Sequence, residues 1–556
     1  MTVGAHANLV AVDYLHQYIN KRWNIDVPKG GKNNNIVSIR YLMGRIDAAN
    51  EMLNGRKTSD YANDAKYASR ALASATFTDD AVDNLIRLER PTCSDTDCPF
   101  QFKPAANNGN KYAFAIGAAG NFTVDWGDGE IQEIQKDMGM QTISHEYADN
   151  ASNYTIKLGG HATGYPSYDM MDDESDVPAI AIAFGDLDTG QITELSSIDG
   201  CLGCVFSTLD SGAQPLFVST FTMQTQLKTV PAGLFDGIHG AGTPGMFGYT
   251  FLGSGLESLP DNMFGGLTSA ALYTFFATFS ECPQLKTVGG NWFADLESLD
   301  DTQALYGLFA GSGIETIGDN WFAKLTRLPP VKYDGETKVT EIAPFLAMFA
   351  ESNTIRAVGG GWFASLTTIE SDVAFAGMFS NQPYLQSIGD DWFPKLTTVT
   401  GAHAFAGMFE STASLRQIPP MFKNIKTGAP YMFDALFRYS GLTSIPDGMF
   451  ANLETGAEGM FRQTFMNTNI TSIPANLFGD IQGDYPDGMF LATFFGLLNL
   501  TGDTARVGPA DNRQFLWERW PDVNQPQQTY GYTSLNYPRD LDEDHQIALT
   551  WWGSSI

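Results

Sequence analysis

The chain has 556 residues, 43% of them hydrophobic and 12% aromatic, with a formal net charge of −30. Such a hydrophobic fraction excludes a disordered protein, and the charge argues against nucleic acid or an anionic membrane as a partner. No stretch stays apolar for the roughly 18 residues of a membrane-spanning helix, and the start lacks the basic and apolar segments of a signal peptide. We therefore expect no membrane insertion and no secretion leader.

Residues 1–90 are predicted to be helical. Apolar side chains between Ile36 and Leu53 recur at helical spacing, and Asn54-Gly55 follows as a stop signal. Thr78 is a suitable N-cap for a further helix over 81–88. Short amphipathic helices bury little surface alone, so this region is either a docking and oligomerisation region or an ordinary helical cap.

Residues 91–165 change to strand signals, because apolar and polar residues alternate in Tyr112–Ile116 and Phe122–Trp126. A tight turn at 125–129, a His145-Glu146-Tyr147 segment and a Tyr154-Thr-Ile segment follow in order. This W-G-D-G, H-x-Y, Y-T-I order resembles PKD-like immunoglobulin-fold domains, which implies a β-sandwich. Two aspartates are too few ligands for calcium, so a structural turn is the preferred interpretation and calcium binding stays open.

Residues 166–220 are predicted to be a connector and the first solenoid coil. The charge run 170–176 has the composition of a solvated loop. The apolar stretch Ile180–Phe184 and the residues around Ile192 and Leu195 are predicted to be the first strands of the array that follows.

Between residues 221 and 500 one pattern recurs nine times. Each copy has an aromatic residue, a Leu/Ile-x-x-Val/Ile/Leu pair, a Pro or Gly and another Phe, at steps of 28 to 30 residues except for one near 40. The leading aromatics are Phe221, Phe251, Phe279, Phe309, Phe349, Phe379, Phe409, Phe437 and Phe465. The period predicts a solenoid of about ten coils, with a short strand at each pair and a helical turn at blocks such as Ala404–Phe409.

The recurring F-x-x-M-F and I-P-x-x-L-F segments resemble the BspA-like leucine-rich repeats over about half the chain. The predicted fold class is therefore mixed α/β, a leucine-rich-repeat-like solenoid preceded by a small helical region and a PKD-like β-sandwich. The resemblance implies surface recognition or adhesion, as in gut bacterial surface proteins and the phages of those bacteria, and it names no ligand.

The tail, residues 501–556, is rich in large aromatics such as Trp517, Trp520, Trp551 and Trp552. Aromatics at the end of a repeat array commonly seal the last coil, so we predict an aromatic C-terminal cap. The alternative is an aromatic platform for sugars or for a partner subunit.

Five cysteines are present, and their spacing leaves several states open. The 103 residues between Cys98 and Cys201 disfavour one zinc site shared by the two close pairs. A local Cys93–Cys98 bridge is possible, and thiols are favoured for Cys201, Cys204 and Cys282.

No catalytic constellation is evident. The sequence has no H-E-x-x-H, no P-loop and no G-x-S-x-G with ordered partners. Paired acids such as Asp300-Asp301 and Asp390-Asp391 follow the repeat, whereas a glycosidase needs two carboxyls facing across one cleft. We expect a non-enzyme without cofactor or metal.

The predicted function is structural or recognition work, as a bacteriophage fibre, collar or decoration protein at the virion surface. The alternative is a bacterial cell-surface or secreted BspA-like adhesin, and the remote alternative is a glycan-active enzyme. The expected partners are other virion or surface subunits, bound through the N-terminal helices, further copies of the chain in a homo-oligomer, and a host-surface protein or glycan.

In repeat proteins the strand face is commonly the surface that binds a partner. The variable positions there, which mix both signs of charge, are Lys228, Glu257, Lys286, Glu315, Arg356, Gln386, Arg416 and Thr443.

Overall fold

A computed structural model describes residues 100–166, 180–186, 191–479, 481 and 488–500. The chain divides into two compact units, Met1–Thr92 and Cys93–Ile556, and all described residues belong to the second. The predicted N-terminal helices and the predicted aromatic cap lie outside the described residues. The described part is mostly β.

The regular elements are short, particularly beyond residue 200. The strands are β1 Phe100–Pro104, β2 Lys111–Ile116, β3 Ala119–Asp125, β4 Ile131–Lys136, β5 Gln141–Glu146, β6 Ile156–Gly164, β7 Ile182–Ala183, β8 Gly185–Asp186, β9 Gln191–Ile192, β10 Leu195–Asp199, β11 Gly240–Ala241, β12 Ser258–Leu259, β13 Leu267–Ala270, β14 Thr287–Val288, β15 Ser298–Leu299, β16 Thr316–Ile317, β17 Ala357–Val358, β18 Thr368–Ile369, β19 Ser387–Ile388 and β20 Thr398–Val399. The α-helices are α1 Leu202–Val205 and α2 Val339–Ile342, and the 3-10 helices are Ala106–Asn108, Ala151–Asn153 and Leu346–Phe349.

Two antiparallel sheets pack together at the start of the described chain, in the orders β10-β1-β6-β3-β4 and β5-β2-β7. Both strands predicted from alternation are present, as β2 and β3. Rings from the two sheets meet between them, with the centroids of Phe102 and Phe114 5.4 Å apart. The alternation therefore places one apolar face of each sheet in a shared core.

The segments predicted to open the array do not pair with its coils, and β9, which contains Ile192, pairs with β8. β7 pairs antiparallel with β2, and β10 pairs antiparallel with β1. A short apolar run indicates a strand but does not specify its partner, which is why the sequence placed them wrongly. Phe184 nevertheless leads into the array, because its ring stacks on Phe221 at 5.1 Å.

Beyond this region the chain winds into stacked coils, which confirms the predicted solenoid. Strands β12, β14, β16, β17 and β19 form one parallel sheet, and strands from successive repeats pair in register. Leu259, Val288 and Ile317 lie side by side in it. A nearly constant repeat length thus brings equivalent residues together.

A strand was predicted in every copy, but the copies around Val230, Ile418, Ile445 and Ile473 form none. The difference follows from whether a glycine after the pair links two neighbouring coils. Leu259 is followed by Pro260 and still lies in β12, because the next coil supplies Gly289. Gly289 and Gly318 donate their N–H groups to the preceding coil, at Leu259 O and Val288 O. The strandless copies have a proline there, which has no N–H to donate.

The block predicted to be helical forms a ribbon of consecutive turns, which we call the turn ribbon (401–411 and the equivalent residues of other coils). Phe405 and Phe409 donate N–H groups to Met432 O and Leu436 O of the next coil, rather than to carbonyls four residues back. Every fourth residue is left-handed, with φ of 55° at His403 and 59° at Ser411. The predicted helical turn is absent from this block, because the turn repeat also brings residues four apart onto one face; in the copy that follows the insertion the equivalent residues, Leu346–Phe349, form a 3-10 helix.

One continuous core extends from Phe100 to Leu500 among the described residues. Successive coils contribute stacked phenylalanines to it. One such row consists of Phe184, Phe221, Phe251, Phe279, Phe309, Phe349, Phe379, Phe409, Phe437, Phe465 and Phe494. The rings occupy the interior, so the side chains that vary between copies lie outside.

The single long repeat step corresponds to an insertion that contains α2. Val331 and Val339 of the insertion pack with Val373 and Ala406 of the turn ribbon in a separate small hydrophobic cluster. Asp372 holds the insertion in place, since its carboxylate accepts the Tyr333 N–H at 2.9 Å. The extra residues thus cover part of the ribbon without interrupting the stack.

Candidate binding surfaces

The predicted site residues lie in a row along the parallel sheet, which we call the charged row. The backbone N–H groups of most of these residues donate to the carbonyl of the equivalent residue in the preceding coil. These hydrogen bonds join Glu257 to Lys228, Lys286 to Glu257, Glu315 to Lys286, Arg356 to Glu315, Gln386 to Arg356, and Thr443 to Arg416. The structure therefore brings the residues from Lys228 to Gln386 together in one run, and Arg416 with Thr443 in another.

Opposite charges alternate along the charged row and pair between coils. Lys228 Nζ lies 3.7 Å from Glu257 Oε1, Lys286 Nζ lies 3.4 Å from Glu315 Oε1, and Arg356 Nε lies 3.2 Å from Glu315 Oε2. Lys286, and then Arg356, lower the pKa of the Glu315 carboxyl by hydrogen bonding. Exposed pairs of this kind contribute little to stability, so these side chains remain available to a partner with both signs of charge.

Tyr384, which was not among the predicted site residues, adjoins the row. Its side chain is half exposed, and the guanidinium carbon of Arg356 lies 5.5 Å from its ring centroid. The sequence did contain a signal for its exposure. Adjacent residues of an extended segment face opposite sides, so a tyrosine directly before the inward-facing Leu385 is expected to face outward.

A second polar cluster, on the turn ribbon beside the insertion, was also not predicted. His403 stacks on Tyr431 at 4.8 Å, and Tyr333 of the insertion meets His403 edge-on at 5.6 Å. Burial, with a smaller contribution from Arg462, lowers the pKa of His403 to about 4. The imidazole is therefore neutral at physiological pH. The members of this polar cluster are far apart in sequence, and only the stacking of the coils brings them together.

Two arginine–carboxylate pairs tie neighbouring coils in the same region. Arg462 forms two hydrogen bonds to Asp434, at 3.0 and 2.5 Å, and Arg438 Nε donates to Glu410 Oε1 at 2.7 Å. Burial raises the pKa of both carboxyls, against the opposing effect of the arginines. Breaking a buried pair leaves an uncompensated charge, so we interpret these as structural ties.

The acidic turn of the two-sheet region uses its aspartates locally. Asp125 Oδ1 accepts the Gly127 N–H at 2.9 Å, and Asp128 Oδ1 accepts the Glu130 N–H at 3.0 Å. Asp128 Oδ2 also lies 2.7 Å from His145 Nε2. The two aspartates therefore stabilise the turn through local hydrogen bonds, in line with the interpretation of this segment as a structural turn. No group of three or more metal-binding side chains occurs in the described part of the chain.

The cysteines differ from expectation at one position. Cys282 and Cys201 are buried thiols, as predicted, and Cys201 Sγ lies 3.1 Å from Asp236 O. Cys204, for which a thiol was favoured, is disulfide-bonded, so that prediction was wrong. Spacing along the chain could not reveal it, because a disulfide needs proximity in space. Cys93 and Cys98 lie outside the described residues.

Comparison with known proteins found no matching family model, no matching curated protein and no matching solved structure. Among the helices that the structure describes, none has the length and apolar character to cross a membrane. The evidence for the solenoid is therefore the stacking of the coils in the structure. The resemblance to a particular repeat family remains a prediction.

Proposed function

We propose that this chain is a non-enzymatic recognition protein, and that it serves as a fibre, collar or decoration protein on a bacteriophage virion. The observation that carries the proposal is the interior, which stacked rings fill from coil to coil while the variable side chains lie outside. Such an array offers an extended exterior for binding. The second candidate is a bacterial cell-surface or secreted adhesin, which the same repeat pattern favours equally.

We further propose that the coils are BspA-like leucine-rich repeats, about ten in number, and that the two-sheet region is a PKD-like domain. The repeated Phe and Leu pattern supports the first assignment. The second is supported by the motif residues, since Trp126 stacks on His145 at 4.9 Å and accepts a hydrogen bond from Tyr147 Oη through its carbonyl oxygen at 3.0 Å.

The charged row is the surface that we propose for a host-surface partner. Its alternating signs favour a partner that carries both charges over a simple polyanion or polycation. The N-terminal region, residues 1–90, is proposed to attach the chain to other subunits or to further copies of itself.

A binding experiment with the whole protein tests the charged row. The variant Lys286→Gln/Glu315→Gln/Arg356→Gln/Arg416→Gln should lose adsorption to host cells while its melting temperature stays near that of the parent, because exposed pairs contribute little stability. The matched control is Lys426→Gln/Glu454→Gln, another exposed pair between coils, with 3.3 Å between Nζ and Oε1. Unchanged adsorption by the row variant would dismiss this surface.

Two further measurements separate the candidate functions. N-terminal sequencing of the native protein would eliminate the virion proposal if the mature end is one made by signal peptidase. Incubation with host polysaccharides should release no reducing ends. Release that is lost when one Asp or Glu is changed would establish the glycan-active enzyme instead.

A further inference from the structure

About half of the left-handed positions of the turn ribbon carry Gly, Ala or Ser, and four of the larger residues at the other positions are tyrosines. Tyr249 and Tyr273 both have a φ of 56°, Tyr431 has 53° and Tyr439 has 58°. A bulky L-residue is disfavoured at such angles, and Ala277 and Gly307 occupy the corresponding position in the next coils after Tyr249. Backbone strain that the fold maintains is concentrated at functional sites, so these tyrosines call for an explanation beyond packing.

Two of these tyrosines belong to a contiguous group that we call the aromatic strip: Tyr249, Tyr273, Phe276 and Tyr306. Phe276 is at its centre, with ring centroids 5.1 Å from Tyr249, 4.8 Å from Tyr273 and 5.6 Å from Tyr306, on which it stacks. Tyr249 is 39% exposed and Tyr306 is 36% exposed. Most phenylalanines and tryptophans of the array are buried in the interior, whereas Tyr249 and Tyr306 of this group are exposed.

Backbone register aligns the strip across three coils. Tyr249 N–H donates to Phe276 O at 2.8 Å, and Ala277 N–H donates to Tyr306 O at 3.0 Å. In the next coil the Gly307 N–H donates to Ala347 O at 3.2 Å, and the adjoining Leu346 packs against the small cluster under the insertion. The strip is thus a short line of rings that the insertion bounds at one end.

The chemistry of the strip narrows the class of ligand. Its four side chains are uncharged, and the net charge of −30 on the chain disfavours an anionic ligand. Exposed tyrosines offer rigid contact area at low entropic cost, with hydroxyl groups for hydrogen bonds. Rings that recur at the spacing of the coils, about 4.8 Å, suit a linear ligand whose own units are flat, apolar on their faces and hydroxylated at their edges.

We propose that the aromatic strip binds an uncharged linear polysaccharide, with successive sugar rings packing on Tyr249, Phe276 and Tyr306. The strip does not include the charged row, so the proposal goes beyond the function proposed above. Loss of binding at one surface is distinguishable from loss at the other, because the two sets of variants share no residue.

The test is binding of the full-length protein to laminarin, glucomannan and dextran, with alginate as an anionic comparison, by affinity electrophoresis and titration calorimetry. At least one uncharged polymer should bind, and alginate should not. Tyr249→Gly and Tyr306→Ala should each weaken that binding about tenfold or more, as expected for an aromatic at the centre of an interface. Glycine relieves the strain at residue 249, so the melting temperature of Tyr249→Gly should not fall.

Tyr439→Gly is the matched control, because Tyr439 has a φ of 58° and is also 39% exposed, but belongs to a distant coil. It should leave the affinity unchanged. The proposal is overturned if none of the three uncharged polymers binds, if Tyr249→Gly binds as well as the parent, or if Tyr439→Gly weakens binding equally. A sedimentation experiment in which Tyr249→Gly abolishes self-association would assign the strip to a second copy of the chain instead.

Discussion

At the residue scale, the glycines after the strands have a specific role. A Cβ built on Gly318 would lie 2.5 Å from the carbonyl carbon of Gly289, and one on Gly289 would lie 2.5 Å from the backbone nitrogen of Asp261. Real side chains do not approach backbone that closely, and backbone cannot move aside without separating the coils. Glycine at this position therefore permits the close stacking that the ladder of hydrogen bonds requires.

We predict that Gly318→Ala lowers the free energy of unfolding by about 3 kcal/mol, because the added methyl group overpacks the contact between coils. The comparison is Gly307→Ala, where a Cβ meets nothing closer than 3.8 Å and only the φ of 65° is unfavourable. That change should cost about 1 to 2 kcal/mol. Urea unfolding midpoints compare the two, and equal effects would argue against the close approach as the cause.

At the scale of the element, four tryptophans form a second row inside the coils. Trp292, Trp321, Trp362 and Trp392 stack with centroids 4.9, 5.0 and 5.1 Å apart and planes within 4°. Each indole N–H donates to a carbonyl of the preceding coil, as Trp321 Nε1 does to Gly289 O at 2.8 Å. The row thus combines ring packing with a hydrogen bond that only tryptophan supplies at this depth.

We expect Trp321→Phe to destabilise the protein by about 2 kcal/mol, because the carbonyl of Gly289 loses its donor and the ring contact shrinks. Parallel indoles at these distances couple, so the near-ultraviolet circular dichroism should show a coupled tryptophan signal. Trp321→Phe removes two of the three stacks and should reduce that signal more than Trp392→Phe, which removes one at the end of the row. Equal losses would contradict the arrangement.

At the scale of the whole molecule, the two-sheet region and the array share one core. The ring of Phe184 lies 5.2 Å from Phe102 in the first sheet and 5.1 Å from Phe221 in the array. A phenylalanine that serves both parts should make them unfold together. The array then starts from a rigid support rather than from an exposed first coil, which repeat proteins need to cap.

Phe184→Ala should therefore lower the free energy of unfolding by about 3 to 5 kcal/mol and separate the calorimetric transition into two. The control is Ile131→Ala, which changes a side chain that is 63% exposed in β4 and should leave a single transition. A single transition in Phe184→Ala would show that other contacts carry the coupling.

The solenoid, its period and the inward position of the recurrent rings could all be predicted from the amino-acid pattern. The pattern also identified the charged row, because a nearly constant step between copies must place equivalent residues such as Lys286 and Glu315 side by side. The strands β2 and β3 followed from alternation alone. These features are local or periodic, so they can be read without knowing the distant contacts.

The remaining features depend on contacts between residues that are distant along the chain. Four-residue spacing at Phe405 and Phe409 suits a helix or a turn ribbon, and hydrogen bonds to the next coil selected the ribbon. The partners of β7 and β10, the environment of His403 and the outward strip around Phe276 all depend on residues far apart in the chain. The periodicity of the sequence indicates which residues share a face. Which strands and side chains contact each other depends on the energy of contacts that form only when the coils stack.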